Sequence, residues 1–213
     1  MKTLITNWLL ASLAMAAHAQ STETGLKIKV HIYNYAGVAP EALARAQQET
    51  ERIYRQLGIE MEWQICPRTA EEAERNAACE GPGAPTKFIL RLSSNEMARS
   101  FQLGETIFGF ALLSDDGGFG VTATVFAGRA QEMAVDEETR GALLGHLIAH
   151  ELGHLLLGER GHSAGAGIMR IPWRTKELEQ AKKGTMLFLP SQAGKIRTQV
   201  VARMLSSANP PGR

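Results

Sequence analysis

The chain has 213 residues, a formal net charge of +1 from 23 Lys+Arg against 22 Asp+Glu, and 44% hydrophobic residues. That length suits one domain, the apolar share excludes wholesale disorder, and the balanced charge excludes the basic surface that a nucleic-acid partner requires. No stretch reaches the roughly 18 unbroken apolar residues of a spanning helix, so no transmembrane segment is expected in the mature chain.

Met1-Lys2, the largely apolar run from Leu4 to Ala17 and the small residues of Ala17-His18-Ala19 have the layout of a secretory signal peptide cut after Ala19. The expected product is a secreted or periplasmic protein in which residues 20–213 form a single catalytic domain. Loss of Lys2 leaves 22 basic against 22 acidic residues. Export makes the two cysteines informative. Cys66 and Cys79 have no CxxC spacing, and in an oxidising compartment they are expected to form a disulfide, worth about 3 kcal/mol at best in the chain-entropy model.

In chain order, Lys27 to Tyr35 alternates as a strand, with Ile28, Val30, Ile32 and Asn34 on one face. Pro40 suits a helix start, and the helix is expected to reach about Leu57, closed by Gly58. Ile59 to Cys66 alternates again, with Ile59, Met61, Trp63 and Ile65 together. A loop rich in Gly, Pro and Ala over 67–85 follows. Strands are expected over Lys87–Leu92, Ile107–Leu113 and Val121–Ala127, the last two separated by a polar glycine-rich turn. Helices then take over. Asp136 is the expected N-cap of a long helix running to Leu157 and stopped by Gly158, a second helix is expected after Pro172, and Pro190 to Met204 reads as a closing core helix. The order predicts an α+β fold with a mixed twisted sheet.

The chemistry is concentrated in His150-Glu-Leu-Gly-His154. Residues i and i+4 of a helix share one face, so the two imidazoles can close on one zinc ion, with Glu151 placed to act on a water rather than on the metal. Four of the five histidines of the mature chain fall between 146 and 162. His146 cannot share that ion with both others, because eight residues of helix rise about 12 Å, and is read as a packing histidine. The third ligand must come from His162, just past the helix stop, or from Glu177 or Glu179 further on.

His150-Glu-Leu-Gly-His154-Leu-Leu-Leu-Gly158-Glu-Arg-Gly-His162-Ser163, followed by Gly167-Ile-Met169, resembles the metzincin clan of zinc metallopeptidases, and its matrixin-type members in particular. The resemblance covers about residues 136–173. It implies a zincin-like (metzincin) fold, His150, His154 and His162 as zinc ligands, Glu151 as general base and Met169 in a methionine turn beneath the metal. The chain departs from the family's HExxHxxGxxH: Leu157 replaces the glycine, Arg160 stands where the third histidine belongs, and His162 comes two residues later. Either the loop bulges to let His162 reach the metal, which the His-Ser pair and the methionine turn favour, or a downstream glutamate serves, as in gluzincins. A calcium cluster is not expected from a chain with three aspartates.

The function expected is an exported zinc-dependent endopeptidase acting on a peptide or protein substrate, which would pair with an edge strand at 107–113 or 121–127. The alternatives are a zinc-containing binding module of the same fold with weak or no catalysis, and a gluzincin-type peptidase.

Overall fold

The computed structural model describes residues 25–74, 79, 84–114, 119–134, 136–158 and 161–208, and the expected signal peptide lies outside them. Five strands form one sheet: β1 (Leu26–Asn34), β2 (Ile59–Cys66), β3 (Lys87–Ser93), β4 (Gly109–Leu112) and β5 (Thr122–Phe126). Their spatial order is β2-β1-β3-β5-β4. β1 runs parallel to both β2 and β3, β3 parallel to β5, and β4 alone is antiparallel, paired to β5 from Gly109↔Val125 to Leu112↔Thr122. The mixed sheet expected from sequence is therefore present, but it is mostly parallel, so the arrangement is a mixed α/β one rather than the segregated α+β class.

Alternation on β1 sets the layers. Ile28, Val30 and Ile32 are fully buried on one face, whereas Lys27 and Lys29 of the other face are exposed. The buried face carries α1 (Pro40–Arg55) and α5 (Glu137–Leu157). These two helices approach through glycines: a Cβ on Gly145 would lie 2.7 Å from the Ala46 carbonyl oxygen and 2.7 Å from Glu49 Cβ. Thr50 Oγ1 donates to the Gly145 carbonyl at 3.0 Å and the Tyr54 hydroxyl to that of Ala149 at 3.2 Å, so α1 is bonded to the stretch of α5 leading into the histidine motif.

Asp136 caps α5 by accepting from the Thr139 amide at 2.7 Å. Gly158 ends it with φ 73°, a conformation that glycine reaches without steric cost. Leu144, Ile148, Leu152 and Leu155 form a buried stripe along α5. Leu143, Leu147, Ala149 and Leu156 are buried as well, because α5 lies between the sheet with α1 on one side and the C-terminal part of the chain on the other.

That C-terminal part comprises a turn carrying Met169, α6 (Thr175–Lys182) and α7 (Pro190–Ala208). α7 buries Ile196 and Val200 and extends past the expected end at Met204. Three short helices were not legible as elements: α2 (Ala70–Glu74), α3 (Asn95–Ser100) and α4 (Ala127–Met133). None spans more than two turns, too few for a helical period to emerge. Cys66 and Cys79 are joined as a disulfide. No helix among the described residues is long and apolar enough to cross a membrane.

Candidate metal centre

His150 and His154 stand one turn apart on α5, and their Nε2 atoms are 3.2 Å apart. His162 joins them. Its ring centroid is 4.3 Å from that of His154 and 5.6 Å from that of His150, and one ligand nitrogen from each of the three lies within 4.8 Å of the others. Two nitrogens bound at about 2.0–2.1 Å to one tetrahedral zinc sit about 3.3–3.4 Å apart, so the first pair has a fitting separation and the third imidazole is a small side-chain adjustment away.

The return of His162 is built in the backbone. The Gly161 amide donates to the Gly158 carbonyl at 3.0 Å, closing a tight turn directly after the helix stop, although residues 159 and 160 between them lie outside the described residues. Gln192 of α7 is buried and donates from Nε2 to the Gly161 carbonyl at 3.2 Å, which ties the peptide before His162 to the C-terminal helix.

The methionine turn sits beneath. Met169 is fully buried. A Cβ on Gly153 would lie 2.7 Å from its sulfur, and one on Gly161 3.4 Å from its terminal methyl. The turn also fixes an imidazole: His150 Nδ1 donates to the Ile168 carbonyl at 2.7 Å, which leaves Nε2 deprotonated and turned toward the other two imidazoles. Ser163 donates from its amide to the Met169 carbonyl at 2.9 Å and from its hydroxyl to that of Ala166 at 2.6 Å, so the His162-Ser163 pair is pinned to the same turn.

Electrostatics keep the histidines neutral. Burial, then the neighbouring His154 charge, pulls His150 down to about 3, and burial with the His162 charge pulls His154 down to about 4. Burial also lowers His162. Neutral imidazoles are the form that binds metal. Glu151 is buried and pushed up to about 8 by its loss of water. Its Oε2 has no hydrogen-bond partner among the described residues. Three imidazoles that favour the neutral form beside an orphaned carboxylate make a donor set that suits a cation.

These groups floor a cleft of about 600 Å³. Its lining is largely apolar and aromatic, including Phe108, Phe110, Leu147, Ile171, Pro172 and Trp173. Trp173 stands edge-on to His150 at 5.7 Å and against Phe108 at 6.1 Å. Gly109 of β4 lies directly against Glu151, since a Cβ there would come within 2.8 Å of the carboxylate. β4 borders this cleft and is the edge strand of the sheet. Of the two segments expected to offer an edge, β5 is interior.

Glu177 and Glu179 are not part of the cluster. Glu177 accepts from the Arg174 amide at 2.9 Å as part of the α6 cap and pairs with Arg170 at 3.1 Å, and Glu179 pairs with Lys182 at 3.1 Å. His146 is fully buried one turn before His150, donating from Nδ1 to the Ala142 carbonyl at 3.0 Å with Glu49 3.4 Å away, as a packing histidine should. Sequence reasoning missed the Ile168 carbonyl, Gly109, Trp173 and Gln192. None belongs to a spaced motif, and only the fold brings them to the site.

No family model and no curated protein matches this chain. Among solved structures, it is similar to the archaemetzincin of Methanopyrus kandleri, at 15% identity, with a TM-score of 0.51, over 84% of this chain and 99% of that one. The likeness shows a shared fold, in this chain a mixed sheet that supports the helix bearing the histidine motif.

Proposed function

We propose that the chain is a zinc-dependent metallopeptidase of metzincin type that hydrolyses peptide bonds. The observation that carries this reading is the convergence of three neutral imidazoles beside a buried carboxylate that is not one of the ligands, all opening into one cleft. The likeness to an archaemetzincin supports the metallopeptidase class. The matrixin-like features, His162-Ser163 and Met169, support the finer placement, and Met169 serves as the turn residue.

His150, His154 and His162 would hold the ion. Zinc bound by three histidines supplies acidification of a water and polarisation of a carbonyl. Glu151 accepts the proton of the attacking water and returns it to the departing amine. With a cation held by the three histidines, the desolvation that raises this carboxyl would be offset, and Glu151 would be ionised and able to act as a base at neutral pH. The apolar walls exclude competing water, and an extended substrate adds a strand to the free edge of β4, which brings its backbone over Glu151. The leader of residues 1–19 and the Cys66–Cys79 disulfide support a secreted or periplasmic location.

The test is cleavage of a peptide library by zinc-loaded wild type and by Glu151→Gln. Wild type should cleave and the variant should lose about 10²–10⁴-fold in rate while retaining its zinc. Equal cleavage by the two would remove the mechanism. A zinc-loaded wild type that cleaves nothing would favour the non-catalytic binding module.

A further inference from the structure

The described residues contain a second cluster of metal-binding side chains, on the other side of the sheet from the histidine helix: His31, Cys66 and Cys79. We propose that reduction of the Cys66–Cys79 disulfide converts this cluster into a second zinc site, with the imidazole and two thiolates as its protein ligands. It does not depend on the peptidase reading.

His31 is the unusual residue. It lies on the face of β1 that carries Lys29 and Tyr33, turned away from α1 and α5, yet it is only 2% exposed. Neither ring nitrogen has a hydrogen-bond partner among the described residues. Burying an imidazole without a partner leaves its lost hydration uncompensated, so a buried histidine normally finds one. What covers this one is sulfur. Cys66 pairs in register with Tyr33, two residues along from His31, and Cys79 is brought over the same face by its bond to Cys66. One nitrogen and the two sulfurs lie within 4.8 Å of one another. Thiolates at about 2.3 Å from a tetrahedral zinc are about 3.8 Å apart, so the opened sulfurs need only part and not travel.

The charge and ligand type also fit. One imidazole and two thiolates form a borderline-soft set that suits zinc better than magnesium or calcium. Two thiolate charges cancel that of the ion, so the buried centre is neutral. Burial first, and then Lys87 and Lys29, disfavour protonation of His31, and the positive field of the two lysines also favours thiolates. The fourth position is left to water.

The conversion balances as a dithiol exchange followed by proton release. A dithiol reductant breaks the Sγ–Sγ bond, gives two electrons and two protons to Cys66 and Cys79, and leaves as its own cyclic disulfide. Zinc then displaces both thiol protons to solvent. Cys79 is thereby held to the end of β2 in either redox state, by a covalent bond in one and by the ion in the other.

The test compares zinc bound per full chain before and after treatment with a dithiol, the reductant being removed before metal is added. The quantity read is the difference, so it is independent of whether the histidine helix holds an ion. Reduced wild type should bind one zinc more than oxidised wild type. Cobalt in its place should give a thiolate-to-metal absorption band absent from the oxidised chain. His31→Ala, which leaves the disulfide intact, should weaken the added site at least tenfold, and Cys66→Ser should abolish the difference. If the reduced chain unfolds, added zinc should restore the fold of wild type and not of His31→Ala. No added zinc, no thiolate band, or equal zinc uptake or refolding by His31→Ala would overturn the proposal.

Discussion

His150 Nδ1 donates to the carbonyl of Ile168 at 2.7 Å, joining the histidine helix to the turn that precedes Met169. One bond does two things. It fixes the tautomer so that Nε2 faces His154 and His162, and it holds the methionine turn at a set depth under α5. Gly153, between the two helical ligands, lets Met169 approach so closely that no side chain fits there.

Gly153→Ala should therefore be a packing lesion that reads out at the metal. The new Cβ would lie 2.7 Å from the Met169 sulfur and 2.9 Å from Phe188 Cε1, both buried. Overpacking of this kind costs about 1–3 kcal/mol. Denaturant unfolding should show that loss, and the variant should bind zinc more weakly than wild type, although alanine favours helix. An unchanged midpoint and unchanged zinc affinity would mean that the turn moves freely under the helix.

Metal-free protein should lose stability as acid is added, beginning near neutrality. His146, His150 and His154 are all lowered in the folded state from 6.5, the last two to about 3 and about 4. Between those values and 6.5 the unfolded chain binds more protons than the folded one. Stability from these groups is thus complete above 6.5 and falls with decreasing pH until each folded histidine is itself protonated. Glu151 works in the opposite sense. Raised to about 8, it stays protonated in the fold while the unfolded chain ionises from about 4.5, so its contribution falls as pH rises from 4.5 to 8. Thermal melts of metal-free wild type and Glu151→Gln across that range should diverge, with the variant gaining relative stability toward pH 8. Parallel curves would show that the carboxyl is not desolvated.

Much of this was legible in the sequence. The alternation of Ile28, Val30 and Ile32 is a direct projection of a one-sided sheet, and Asp136 and Gly158 bound α5 through chemistry local to the chain. The histidine motif places two groups by helix geometry alone. His162 could be named only by resemblance, because its approach depends on a tight Gly158–Gly161 turn and on Gln192, more than thirty residues later. β2 misleads in a different way. Its apolar alternation continues to Ile65, which is 46% exposed, because β2 is the other edge of the sheet and its far end extends beyond the helices.

Arg203 is a test of how the C-terminal helix closes the fold. It is fully buried, its guanidinium lies over the rings of Phe88 and Phe119, and it donates to the carbonyls of Pro85, Gly120 and Leu155 at 2.6–2.9 Å. Burial lowers it only to about 10, so it remains charged at neutral pH. Leu155 belongs to the last turn of α5, and Gly120 precedes β5. Arg203→Met should leave three carbonyls without this donor, the buried one of Leu155 alone costing about 1–3 kcal/mol, and Arg203→Lys should not rescue it, since an ammonium cannot reproduce the planar fork. Full stability in the lysine variant would mean that charge alone matters here.

The assignment of the third ligand carries the most specific consequence. His162→Ala should weaken zinc binding by more than the 10–100-fold typical of losing an outer hydrogen-bond partner, because it removes a bonded nitrogen. Glu179→Ala should leave zinc affinity unchanged, since that carboxylate pairs with Lys182 on the helix surface. Glu177→Ala separates two effects that sequence alone confounds. Its carboxylate completes the α6 capping box and pairs with Arg170, so its removal should lower stability while zinc stays bound. Competition with a chelator of known affinity, run on all three variants, distinguishes them. Zinc lost from Glu177→Ala but kept by His162→Ala would move the site to a two-histidine, one-glutamate arrangement.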